Sequence, residues 1–166
     1  MNKQFLFLLV LVAAFVIGCA GNKGAGNTGN TGAPLTGFSD VTGKEWKLLE
    51  VHVDSTPFRR IVLYDRDDLK REEMPSVYTL SFSADQISGM GAPNRYTAPY
   101  RRNGQTITIQ LIRSTLMAPL VQPEKLQEHV FFGYLQNAYE WKIAGRNLEI
   151  LSKTEDGSEV RLVFGL

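Results

Sequence analysis

This chain has one cysteine and two histidines, and its 18 basic and 17 acidic residues almost cancel. A single cysteine excludes an internal disulfide and the multi-thiolate zinc sites. Two histidines, His52 and His129, leave little from which to build a histidine-rich metal centre. A formal charge of +1 lacks the basic excess that sequence-independent nucleic-acid binding requires. Long apolar runs are also missing. The best, from Phe5 to Ile17, falls short of the ~20 residues of a stable membrane span.

What is present at the N-terminus has a recognisable order. Lys3 sits in a short polar start, Phe5 to Ile17 is uncharged and apolar, and small Gly18 precedes Cys19. This is the layout of a secretory signal. With Val16 and Gly18 at its aliphatic and small positions, it resembles a bacterial lipoprotein signal. The resemblance implies cleavage before Cys19, diacylglycerol on its thiol and a further acyl chain such as palmitate on the new amino group. Buried acyl chains contribute ~0.8 kcal/mol per CH₂, so two or three hold a protein on a bilayer where one does not. The alternatives are an ordinary signal peptide with a chance cysteine, or an uncleaved anchor helix. Once Cys19 carries lipid, no thiol remains for redox, metal or nucleophilic chemistry. Lys3 is the one charged residue of the signal, so the remainder is formally neutral.

Three segments follow: a signal over 1–18, a Gly/Asn/Thr-rich tether over 19–40 and a globular domain over 41–166. The tether offers almost nothing apolar to offset its ordering entropy. Some 18 such residues reach about 20–25 Å, enough to float a domain clear of lipid headgroups.

From Gly43 onward the dominant hydrophobic period is two. Strands are expected at 45–51, 60–64, 76–82, 95–100, 106–111, 139–143, 147–151 and 160–164. Asn103-Gly104 between two of them predicts a type I′ hairpin turn. Pro99 predicts an edge or a bulge in its strand. One stretch, Pro123 to about Asn137, repeats apolar residues at helical spacing through Leu126, Val130, Tyr134 and Ala138. Many antiparallel strands and one late helix define an α+β domain, a strongly curved antiparallel sheet with the helix packed on one face.

Several residues then fall into the order of a known family. Gly43-Lys44-Glu45-Trp46-Lys47-Leu48 resembles the Gly-x-x-Trp-x-Leu opening strand of the META domain, the fold of the HslJ-like heat-shock and lipoprotein group. Gly89-Met90-Gly91-Ala92-Pro93-Asn94-Arg95-Tyr96 resembles its central Gly-x-x-Gly-Cys-Asn-x-Tyr segment, and Thr115-Leu116-Met117-Ala118-Pro119 its Thr-x-Met-Ala-Cys. Glu128, Phe132, Leu135, Tyr139, Gly145 and Leu148 continue the match. Pro93 and Pro119 stand where the family pattern often has cysteines, which implies that the two lie close together. The charged stretch at 54–75 is longer than the family pattern.

Candidate chemistry is sparse. Asp65, Asp67 and Asp68 could offer oxygens to Ca²⁺, but Lys70 and Arg71 stand where an EF-hand continues, and the stretch reads as a solvated loop of mixed sign with no metal expected. Ser114, His129 and Glu128 are the only hint of a triad, without a nucleophile elbow. Gly89-Met90-Gly91 lacks the Lys-Ser/Thr of a phosphate loop and reads as a bulge or tight bend. Arg95, Tyr96, Tyr100, Arg101, Arg102 and Arg113 cluster around one hairpin. Such a group can bind an anionic glycan, a lipid headgroup or an acidic partner, or can be an ordinary strand surface. Alternation splits it between the two faces of the sheet.

The expectation is therefore a non-enzymatic, cofactor-free envelope lipoprotein, joined to a membrane through Cys19. Ala20 replaces the Asp that retains lipoproteins at the inner membrane in some enteric bacteria, which points to the outer membrane where a cell has one. The resemblance implies a role in envelope stress or maintenance, with an envelope protein or small ligand as partner. The rival expectation is a module whose concave sheet takes a hydrophobic or anionic ligand.

Overall fold

Trp46, Leu48, Val51 and Val53 are all buried, a spacing that breaks strict alternation once. The computed structural model, which describes residues 35–56, 59–67, 76–118 and 123–166, gives the reason. The pairing of β1 (Glu45–Thr56) with the last strand shifts register between Leu48 and Glu50. The extra residue, Leu49, returns Val51 and Val53 to the core side, as a β-bulge does. Cys19, Asp68 and Pro119 lie outside the described residues, as do the signal and the tether up to residue 34.

The other strands are β2 (Arg59–Asp65), β3 (Thr79–Phe82), β4 (Gln86–Met90), β5 (Arg95–Asn103), β6 (Thr106–Ile109), β7 (Arg113–Ser114), β8 (Glu140–Ala144), β9 (Asn147–Lys153) and β10 (Glu159–Gly165). All described pairings are antiparallel. The order β10-β9-β8-β6-β5-β4-β3-β1 is closed by β1 pairing β10. The curvature expected of the sheet thus continues to closure, which leaves no free edge along this circuit. The β6–β8 seam is narrow, with Thr106 opposite Glu140 and main-chain bonds from Ile107 to Tyr139 and from Trp141 to Gln105. β2 flanks the far half of β1, and β7 takes over from β6 along β5.

Helix α1 (Glu128–Gln136) and a 3₁₀ turn (Phe38–Asp40) pack toward opposite ends of β5. Near its start, Tyr96 meets Phe131 and Phe132 of α1, with centroids 6.0 and 5.2 Å apart. Near its end, Tyr100 meets Phe38, which also packs on Phe82 at 5.3 Å and Trp141 at 4.8 Å. Between these stoppers the interior is filled by Trp46, Leu80, Ile87, Ile107, Leu148 and Phe164. Phe38 therefore belongs to the globular part, which begins before residue 41. Asp40 secures this entry by accepting the backbone N–H of Thr36 and Gly37, and those bonds hold its carboxyl below the usual value.

Three local expectations are corrected. The helix begins at Glu128, not Pro123. Leu126 is buried outside it and its carbonyl accepts the Tyr78 hydroxyl. The strand expected from Ser76 starts at Thr79, because Tyr78 adopts φ +55°, outside any strand conformation. The hairpin turn holds Gly104 and Gln105, with positive φ at Gly104 alone, as in a type II′ turn. Pro99 does mark an irregularity. Gln110 donates to its carbonyl where the ladder is interrupted between β6 and β7.

Candidate functional site

The expected aromatic–basic group divides by alternation. Tyr96 and Tyr100 turn inward, Arg102 lies on the same side of β5 but is exposed, and all three serve structure. The Tyr96 hydroxyl donates to the Thr79 carbonyl at 2.7 Å, and burial pushes its pKa well above the usual value. Tyr100 donates to Ser83 O at 2.9 Å, and burial raises its pKa too. The Arg102 guanidinium lies 4.4 Å from the Phe38 ring centroid and donates to Gly104 O. Arg95, Arg101 and Arg113 are exposed. Arg113 lies opposite Thr97 and so shares its side of the sheet with Arg95 and Arg101. The six residues do not converge on one site.

The other candidates also separate. Asp65 accepts the backbone N–H of Asp67 at 2.9 Å, a local turn. Among the described residues, no three His, Cys, Asp or Glu side chains are placed to share a metal ion. Ser114 lies in β7 opposite Tyr96, and His129 is exposed on α1. Glu128 is engaged elsewhere. Its Oε1 accepts the backbone N–H of Ala92 and of Asn94, both at 2.6 Å, and its Oε2 accepts Asn94 Nδ2 at 2.7 Å. Asn94 Oδ1 in turn accepts Thr115 Oγ1 at 2.8 Å and Met117 N at 2.7 Å. Asn94 thus ties three segments together: the β4–β5 turn, the start of α1 and the chain after β7. The Ala92–Pro93 bond in this turn is cis.

A separate groove lies on the outer surface of β1, β3, β4 and β5. It holds about 500 Å³ and is lined by Glu45, Lys47, Ser76, Thr79, Ser81, Ser88, Gly89, Met90, Arg95 and Tyr96. The glycines beside it permit close approach. A Cβ on Gly89 would lie 2.0 Å from Thr79 O and 2.8 Å from the Tyr96 hydroxyl, and one on Gly91 2.5 Å from Glu128 Oε1. The Tyr96 hydroxyl therefore occupies the space that Gly89 leaves and satisfies a carbonyl between β3 and β4.

The groove is polar on both sides of its floor. Glu45 lies opposite Ser81, Ser81 opposite Ser88, and Ser88 opposite Thr97. In the adjacent row Lys47 lies opposite Thr79, Thr79 Oγ1 accepts the N–H of Met90, and Met90 lies opposite Arg95. Of the residues singled out from sequence for ligand contact, only Arg95 and Tyr96 reach this groove. Lys47, Ser81 and Ser88 were missed. Each occupies an outward position of its strand, a signal that alternation carries but that register alone assembles.

These features define an α+β protein built on a closed antiparallel barrel with one helix stoppering an end. The META domain pattern matches residues 39–163, and the chain belongs to the META domain family. Two solved structures share the fold. The NMR structure of a protein from Burkholderia xenovorans has a TM-score of 0.53 at 12% identity, covering 87% of this chain and 98% of its own. The crystal structure of a DUF4847 family protein from Bacteroides vulgatus has a TM-score of 0.50 at 11% identity, covering 76% of this chain and 95% of its own. No curated protein sequence matches.

Proposed function

We propose that this META domain protein is a non-enzymatic component of the cell envelope, held on a membrane by lipid on Cys19, with a role in envelope stress or maintenance. The sequence around Cys19 supports the anchor, and Ala20 favours the outer membrane where there are two. The engagement of Glu128 by three donors supports a structural role over acid–base chemistry. Metabolic labelling with palmitate tests the anchor. Label should enter the native protein and be lost in Cys19→Ser, which should leave the membrane fraction. Mature-length Cys19→Ser protein that still sediments with membranes would remove the anchor from this reading.

A second reading, a ligand-binding module, is favoured by the outer groove. Fully buried aromatic and aliphatic side chains fill the interior, so the ligand surface is the convex outer wall and not a hollow of the sheet. Its cations and hydroxyls suit an anionic ligand over a hydrophobic one.

A further inference from the structure

We propose that the groove across β1, β3, β4 and β5 is a binding site for an acidic oligosaccharide. This rests on the ligand-binding reading and is independent of the lipid anchor.

The unused hydrogen-bonding capacity of the groove carries the proposal. The side chains of Lys47 and Arg95, the Glu45 carboxylate and the hydroxyls of Ser76, Ser81 and Ser88 all line it. None of these groups makes a side-chain hydrogen bond or ion pair among the described residues. By contrast Thr97, Tyr100, Arg102 and Glu128, nearby but outside the groove, each have a partner. The free groups are of three kinds: cations, hydroxyls that donate or accept, and one acceptor carboxylate. A sugar polymer bearing carboxylates or phosphates presents the matching set.

Spacing narrows the class. Lys47 and Arg95 end one cross-strand row, with Thr79 and Met90 between them. Three inter-strand steps separate them, about 14 Å of backbone. A lone phosphate would meet one cation and leave the other idle. A chain of sugars can place an acidic group at each end and lay its hydroxyls over the parallel row of Ser81 and Ser88. Met90, half-buried between the cations, offers a small adaptable apolar surface to the face of a sugar ring. Glu45 at one corner opposes any ligand with dense charge, such as nucleic acid, and accepts from a hydroxyl instead.

The test is calorimetric titration of the full-length protein in nonionic detergent with tetragalacturonate, neutral galactotetraose and inorganic phosphate. A further arm uses mixed micelles carrying glucuronosyl diacylglycerol, which separates a glycolipid headgroup from a free polysaccharide. Tetragalacturonate or the acidic glycolipid should bind about ten-fold or more tightly than galactotetraose and phosphate. The double change Lys47→Gln with Arg95→Gln should weaken that binding about ten-fold or more, with an unchanged melting temperature because both side chains are exposed. Lys47→Arg should keep it. Equal binding of the neutral sugar, equal binding of phosphate, full affinity in the double variant, or no binding in either acidic arm would each overturn the proposal. Cys19→Ser protein should bind as the native chain does, so failure of this site and failure of the anchor are read separately.

Discussion

Asn94 and Glu128 stand 34 residues apart and meet side chain to side chain, with Asn94 Nδ2 donating to Glu128 Oε2 at 2.7 Å. The same carboxylate accepts two backbone N–H groups of the turn, so one side chain closes the β4–β5 loop onto the first turn of α1. Glu128→Ala removes the acceptor of three donors at once. Bonds to a charged group contribute ~1.5–3 kcal/mol each but are not additive, so a loss of about 2–4 kcal/mol is expected in urea melts. Glu128→Gln keeps an acceptor oxygen and should lose less. Equal losses in the two variants would show that shape, and not hydrogen bonding, is what this position supplies.

Gly89 and Tyr96 form a second coupled pair. Gly89→Ala drives a methyl into the Thr79 carbonyl, where backbone on both sides resists movement, and should cost about 2 kcal/mol or more. Tyr96→Phe strands that carbonyl without its donor and should cost ~1–3 kcal/mol. Because both changes damage one contact, the double variant should lose less than the sum. Additivity within ~0.3 kcal/mol in a denaturant cycle would show them independent.

Trp46 is fully buried, and its Nε1 donates to Val41 O at 2.9 Å. Trp46→Ala deletes a core aromatic and should cost ~3–5 kcal/mol in urea melts. A loss under ~1 kcal/mol would contradict its place at the barrel centre.

Alkaline pH should unfold the domain through its tyrosines. Desolvation, then the hydrogen bond and charge of Glu159, with a smaller contribution from the charge of Glu140, push the Tyr139 hydroxyl up to about 12. Tyr96, Tyr100 and Tyr134 are raised as well, each mainly by burial. A raised folded-state pKa means that the stabilisation is complete below the unfolded value near 10. It is lost as pH climbs from there through the folded value. Phenolate absorbance of the native protein should therefore lag that of the urea-unfolded chain, and denaturant midpoints should fall over the same window. Superimposable titration curves would refute this.

Much of the barrel was legible in the sequence because a sheet with one buried face writes its period into the chain. Each run of alternating residues from Glu45 to Phe164 became a strand. The misplaced boundaries share a cause. Ser76–Tyr78 and Pro123–Gln127 both fit their expected element by pattern. In each, a contact with a distant partner decided otherwise: Tyr78, whose ring packs on Phe131, donates to Leu126. A long-range hydrogen bond leaves no local trace.

The sequence by itself determined the α+β class, the META relationship and eight of the ten strands, all but β4 and β7. Those follow from periodicity and from the order of motifs, which are properties of neighbours along the chain. Only the tertiary structure decided that the sheet closes, that Glu128 serves Asn94, and that Lys47, Ser81, Ser88 and Arg95 share one groove. These depend on which strands lie side by side and in what register. A shift of one residue would turn every one of those side chains to the other face.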